Sequence, residues 1–79
     1  MGDYWSRNLY AVTGTGASSV AFPWRPRTLI ITNDSTAAGC EITMAGATFS
    51  LLPDETLSVE FQPDAIAVSG ASWRVLGFG

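Results

Sequence analysis

Near the middle of the chain the segment Glu55 to Phe61 reads ETLSVEF, with Leu57, Val59 and Phe61 alternating with Thr56, Ser58 and Glu60. A period of two places the three apolar side chains on one face of an extended chain, the pattern of a half-buried strand and not of a helix. The same alternation returns at residues 41–44, 48–51, 65–68 and 72–75, and Leu29 and Ile31 share a face opposite Thr28, Ile30 and Thr32. Residues 8–13 and 18–22 add two weaker candidates. Nowhere do apolar residues recur at helical spacing over ten positions.

Turn-forming residues separate these segments: TGTGAS, NDSTAAG, AG, LPDE, QPD and SGAS. Pro53 presets the first central position of a turn whose second is Asp54, and Pro63-Asp64 can do the same. Ala45-Gly46 suits a two-residue hairpin between the strands that hold Met44 and Phe49. Short strands at this spacing predict an all-β fold, a small antiparallel β-sandwich of jelly-roll-like form with about eight short strands. One domain is expected over residues 9–79. The first eight residues, MGDYWSRN, lack alternation and are expected to form an N-terminal arm that orders against a partner.

The chain has 79 residues, near the lower limit at which one apolar core offsets the entropy of ordering the backbone. Domains of this size commonly lean on disulfides, a metal or a partner. Cys40 is the only cysteine and there is no histidine, so an intrachain disulfide is impossible and a four-ligand zinc site has no ligand set. Association with another surface remains as the support, and an apolar fraction of 47% with 14% charged residues agrees with it.

Net charge is −3, lysine is absent, and the four arginines are dispersed, so the basic surface that nucleic-acid binding requires is missing. No apolar run approaches the length of a membrane span, and no charged segment precedes an apolar stretch at the start of the chain. The reading is a protein made and folded in a cytosol, with Cys40 reduced.

Catalytic chemistry is sparse. Without histidine or lysine the usual general base and Schiff-base amine are missing. Paired carboxylates could still act as in glycosidases, yet Asp34, Asp54, Glu55 and Asp64 fall in predicted turns, while Glu41 and Glu60 fall on outward strand faces, where solvated acids normally sit. GTGAS at residues 14–18 lacks the lysine and following helix of a phosphate loop. Cys40 reads as a small buried hydrophobe. No enzyme activity and no cofactor are expected.

The aromatics divide in two. Trp73 and Phe49 fall on inward faces with Val75 and Leu51 and read as core. Tyr4, Trp5 and Trp24 fall outside regular alternation, where they either cap the core or anchor an interface. Trp24 belongs to FPWRPR at residues 22–27, whose two prolines remove backbone donors and favour an extended connector along an edge or between sheets. Such a connector presents Trp24, Arg25 and Arg27 with little entropy left to lose. Together with Tyr4, Trp5 and Arg7 of the arm, these are the candidate partner-binding residues.

Read together, RTLIITNDS at 27–35, ATFSLLPDETLSVEF at 47–61 and IAVSGASWRVLGFG at 66–79 resemble small virion structural proteins of tailed bacteriophages, of the head decoration or cement type. The resemblance covers residues 20–79 and rests on strand and turn chemistry, including a final I-x-V-x-G-x-S hairpin. It implies a β-sandwich on the capsid surface of the virion, made in the host cytoplasm, that binds the major capsid protein lattice and stabilises the head, often as a trimer. It carries no catalytic or ligand motif. Two other readings stay open: a tail, baseplate or fibre-associated virion module, and a small carbohydrate-binding β-sandwich that uses Trp5 and Trp24.

Overall fold

A computed structural model describes residues 9–60 and 63–79. Tyr4, Trp5, Arg7 and Phe61 lie outside the described residues. The chain is all-β and antiparallel, with β1 (Leu9–Ala21), β2 (Thr28–Asn33), β3 (Cys40–Met44), β4 (Ala47–Leu51), β5 (Thr56–Val59) and β6 (Ala65–Phe78).

Two long strands organise the fold. β1 and β6 pair along their whole lengths, from Leu9 opposite Phe78 to Ala21 opposite Ala65. The second half of β6 then pairs with β2, which pairs with β5. Its first half pairs with β3, which pairs with β4. The result is a jelly-roll sandwich: a first layer in the order β1-β6-β2-β5 and a second in the order β1-β6-β3-β4, joined where β1 and β6 bend. Buried side chains of both layers form one cluster that includes Leu29, Ile31, Ile42, Val68, Trp73 and Val75.

Among the described residues six strands replace the eight expected from the sequence. TGTGAS and SGAS are not turns, and the segments on either side of each run on as β1 and β6. The final I-x-V-x-G-x-S segment is therefore continuous strand and not a hairpin. The bend is a β-bulge: Gly14 faces Trp73 and Gly16 faces Gly70, so Thr15 alone spans the interval occupied by Ala71 and Ser72. An extra residue flips the side-chain parity of its strand. In β6 the buried positions accordingly change from Ile66 and Val68 to Trp73 and Val75. Gly16 takes φ +74, which glycine adopts without cost.

Trp73 fixes the bend from inside. Its indole Nε1 donates to the Gly16 carbonyl at 3.0 Å, and a Cβ on Gly14 would lie 2.6 Å from the ring. Only glycine lets the indole lie this close across β1.

The predicted turns at Ala45-Gly46 and Pro53-Asp54 are present. Ala45 and Gly46 have φ of 52 and 79, the double left-handed conformation of a type I′ hairpin, and Met44 faces Ala47 across it. At Leu52-Pro53-Asp54-Glu55 the Glu55 amide donates to the Leu52 carbonyl at 3.0 Å and Asp54 has φ 63, which matches a type II turn. The Glu55 carboxylate accepts back from the Leu52 amide at 2.8 Å.

Candidate docking surfaces

The interior is filled by side chains. Leu29, Ile31, Ile42 and Val75 are each 0% exposed and Trp73 is 2% exposed. A β-sandwich of this size encloses a space that side chains can fill or a small ligand can occupy, and among the described residues apolar side chains occupy it. The one buried polar side chain among the described residues is Asn33. Its Nδ2 donates to the carbonyls of Ala38 at 2.8 Å and Leu52 at 3.0 Å, and its Oδ1 accepts from the Ser35 amide at 3.1 Å. Asn33 thus ties the β2–β3 connector to the β4–β5 connector at the bent end of the sandwich. The sequence places it in a turn; the structure makes it the buried last residue of β2, because two connectors distant in sequence meet there.

Cys40 is buried at the start of β3, and burial, with the Glu41 carboxylate beside it, pushes its thiol pKa up. No group of three or more histidine, cysteine, aspartate or glutamate side chains converges among the described residues. A metal centre inside this sandwich does not fit the side chains that line it.

The acidic groups sit outside. Glu41 and Glu60 are exposed. Asp34 accepts from Arg74 Nε at 3.0 Å, and Asp64 accepts from Arg25 Nε at 2.8 Å. The Arg25–Asp64 pair is largely solvated, with side chains 65% and 78% exposed, so it orients the guanidinium more than it stabilises the fold.

The segment FPWRPR crosses the open end of the sandwich from the second layer to the first, as its prolines predict. Its first amide, on Phe22, donates to the Asp64 carbonyl, and its last, on Arg27, donates to the Phe78 carbonyl. Pro26 is buried, and a Cβ on Gly77 would meet it at 3.2 Å. Phe22 meets Tyr10 edge to face, with ring centroids 5.9 Å apart. The inward residues clamp the end of the core while Arg25 and Arg27 stay exposed. Trp24 is half-buried with its ring against Gly79. The segment therefore brings Trp24, Arg25 and Arg27 together on one rim of the sandwich.

Phe49 departs from expectation. It shares the inward register of Ile42 yet is 41% exposed, because β4 is an edge strand and, among the described residues, no further strand closes over the ring. It borders an apolar recess of about 200 Å³ with Met44, Ala45, Ala47 and Val59.

The two outer faces differ in chemistry. On the second layer Ala17, Ser19, Ala67, Ser69, Thr43 and Glu41 face outward around a shallow depression of about 330 Å³. On the first layer the outward rows are Leu9, Phe78 and Thr28, then Ala11, Leu76 and Ile30, then Thr13, Arg74 and Thr32. Leu9 is 46% and Phe78 38% exposed. This apolar face was not singled out from the sequence, although Ile30 in the run TLIIT was its visible sign.

No family model matches the chain, and no curated protein matches it. Solved structures do share its fold. The Cupin_2 domain of an XRE family transcriptional regulator from Enterobacter cloacae superposes with a TM-score of 0.63 at 16% identity, over 95% of this chain and 87% of that one. A de novo designed double-stranded β-helix gives 0.54 at 20% identity, over 86% and 92%. A cupin superfamily protein from Desulfitobacterium hafniense gives 0.56 at 14% identity, and the alignment takes 89% of this chain and 64% of that one. At these identities the likeness is one of fold: the chain shares the jelly-roll architecture of these proteins.

Proposed function

We propose that this chain is a non-catalytic virion module, a decoration protein that docks on the major capsid protein lattice of a tailed bacteriophage head. The observation that carries the reading is where the chemistry lies. The interior among the described residues carries aliphatic side chains and Trp73, while Leu9, Ile30, Leu76 and Phe78 gather on the outer face of the first layer and two arginines, Arg25 and Arg27, lie on the rim beside it. A filled sandwich of this kind has only its surface with which to act. An apolar face with Trp and Arg at its border has the composition of a protein interface. The strand and turn chemistry of residues 20–79 supports the phage assignment, and a docking contact repeated over a lattice gains avidity that one small surface lacks.

Co-sedimentation with expanded capsids tests this directly. Binding that saturates at a fixed ratio to the capsid subunit is the expected result. Failure to bind any capsid lattice, with labelled protein found on tails in electron micrographs, would move the assignment to a tail or baseplate module. Trp24→Ala combined with Arg25→Ala is expected to weaken docking and leave circular dichroism unchanged; loss of folding would reduce the segment to a lid on the core.

A further inference from the structure

We infer that the first part of β1, Leu9 to Thr13, is a self-pairing edge: a second copy of the chain adds to it antiparallel, about a two-fold axis at Ala11. The inference stands apart from the capsid reading, since it concerns the free protein in solution.

Among the described residues β1 pairs only with β6, and none of them pairs with the other side of this 13-residue strand. Natural proteins guard such edges with charge, proline or brevity. The segment LYAVTGTGASSVA carries no charge and no proline, and it is not short. The other two edge strands serve as internal comparisons. β4 turns Thr48 and Ser50 outward and β5 turns Thr56 and Ser58 outward, and both strands are short. Leu9 to Val12 is instead apolar on both faces, with Tyr10 and Val12 half-buried inward and Leu9 and Ala11 exposed outward. Nothing in Leu9 to Val12 would oppose a further strand laid along this edge.

A two-fold axis at Ala11 places Tyr10 opposite Val12 of the second copy and Ala11 opposite its own counterpart. Both pairs keep inward residues beside inward residues, as antiparallel pairing demands. The two apolar outer faces then join into one, with Leu76 and Phe78 on either side. Nothing charged lies within the contact strand, so the net charge of −3 is not concentrated against itself. Five paired residues, Leu9 to Thr13, make an edge roughly 17 Å long and 10 Å thick. That buries on the order of 200–300 Å² per copy, short of the ~800 Å² of a standard interface. An interface this small makes a weak, concentration-dependent dimer.

Sedimentation of the full chain from a few micromolar to several hundred tests the inference, with Ala11→Lys as the gatekeeper variant and Ser50→Lys on the β4 edge as its control. A reversible monomer–dimer equilibrium is expected, with dissociation raised at least about tenfold by Ala11→Lys and unchanged by Ser50→Lys. A monomer at every concentration, a trimer, or a dimer indifferent to Ala11→Lys would overturn it. Hydrogen exchange on the unmodified chain gives an independent reading should the variant misfold. Amides of residues 9–13 are expected to gain protection as concentration rises. Protection that does not change with concentration would assign the edge to the chain's own residues 1–8, or to no partner, and overturn the second copy.

Discussion

Asn33 offers the sharpest test of how this small fold holds together. The side chain is 0% exposed and makes two short bonds to carbonyls, at 2.8 and 3.0 Å, and accepts one from an amide at 3.1 Å. Asn33→Ala removes all three and strands their partners at the junction of two connectors. At about 1 kcal/mol for each bond, with part of the desolvation cost of the abandoned carbonyls recovered by entering water, the loss is about 2–4 kcal/mol. A domain of this size has a total stability of roughly 4–12 kcal/mol, so the midpoint of thermal unfolding should fall by about 10–25 °C. Asn33→Asp is the discriminating variant. It keeps the shape but points a carboxylate at two carbonyls, which raises the folded pKa of that new acid above its unfolded value. The folded state then holds a proton that the unfolded state releases. Its destabilisation is smallest below the unfolded pKa near 4 and grows as pH rises toward the folded one. Urea unfolding at pH 4 and pH 7, referenced to the parent chain at each pH, should show Asn33→Asp weaker than Asn33→Ala at pH 7, with the gap narrowing at pH 4. An Asn33→Asp protein as stable as the parent at pH 7 would refute the bond pattern assigned to this side chain.

Other predictions test separate parts of the fold. Gly14→Ala drives a Cβ to 2.6 Å from the Trp73 ring and should cost about 1–3 kcal/mol; a double-mutant cycle with Trp73→Phe should show coupling between the two sites, and additivity would refute the contact. Ala45 takes a left-handed φ of 52, which costs a non-glycine residue about 1 kcal/mol and asparagine less. Ala45→Asn should therefore raise the thermal midpoint by a few degrees in calorimetry. The thiol of Cys40 has its pKa raised by burial, so the folded state holds its proton more tightly than the unfolded state. The contribution is fully present below the unfolded thiol pKa and is lost as pH rises through the folded one. Unfolding midpoints at pH 7 and pH 9.5 should show a loss that Cys40→Ala removes, and thiol labelling of the native chain should be slow at pH 8.

The sequence discloses this fold unevenly, and the reason is range. The Ala45-Gly46 hairpin and the Pro53-Asp54 turn are legible because the residues that need a left-handed φ, or that preset one, lie within the turn itself. Leu29 and Ile31 are legible because a strand with one buried face repeats every two residues. The bulge is not, because glycine and serine serve a turn and a bent strand equally well. Only the partner strand decides between them, and at Gly14 that partner is Trp73, far along the chain. The parity change from Ile66 and Val68 to Trp73 and Val75 was nevertheless present in the letters. A turn and a bulge both produce it. Phe49 was assigned correctly to an inward register and wrongly to the core, since register follows from alternation but burial requires a further strand that β4 lacks. The candidate interface was half legible: FPWRPR could be read as a rigid connector from its prolines, whereas the apolar face of the first layer requires knowing that Leu9, Ile30, Leu76 and Phe78, drawn from three strands, lie side by side.

That adjacency bears on why the chain keeps those residues. Ile30 and Leu76 face away from the core, so the buried cluster gains nothing from them, and a threonine or serine at either position would satisfy the strand as well as Thr43 and Ser69 do on the second layer. The second layer shows that this sheet tolerates small polar residues across an entire outer face. Apolar side chains on the opposite face are thus not a requirement of folding, and in a 79-residue chain they carry the cost of aggregation whenever they are left uncovered. A surface that is costly alone and dispensable to the fold is what the proposed docking would cover. The open edge of β1 borders that same surface, so a second copy paired at Ala11 and a lattice docked against Leu76 and Phe78 would extend one continuous interface.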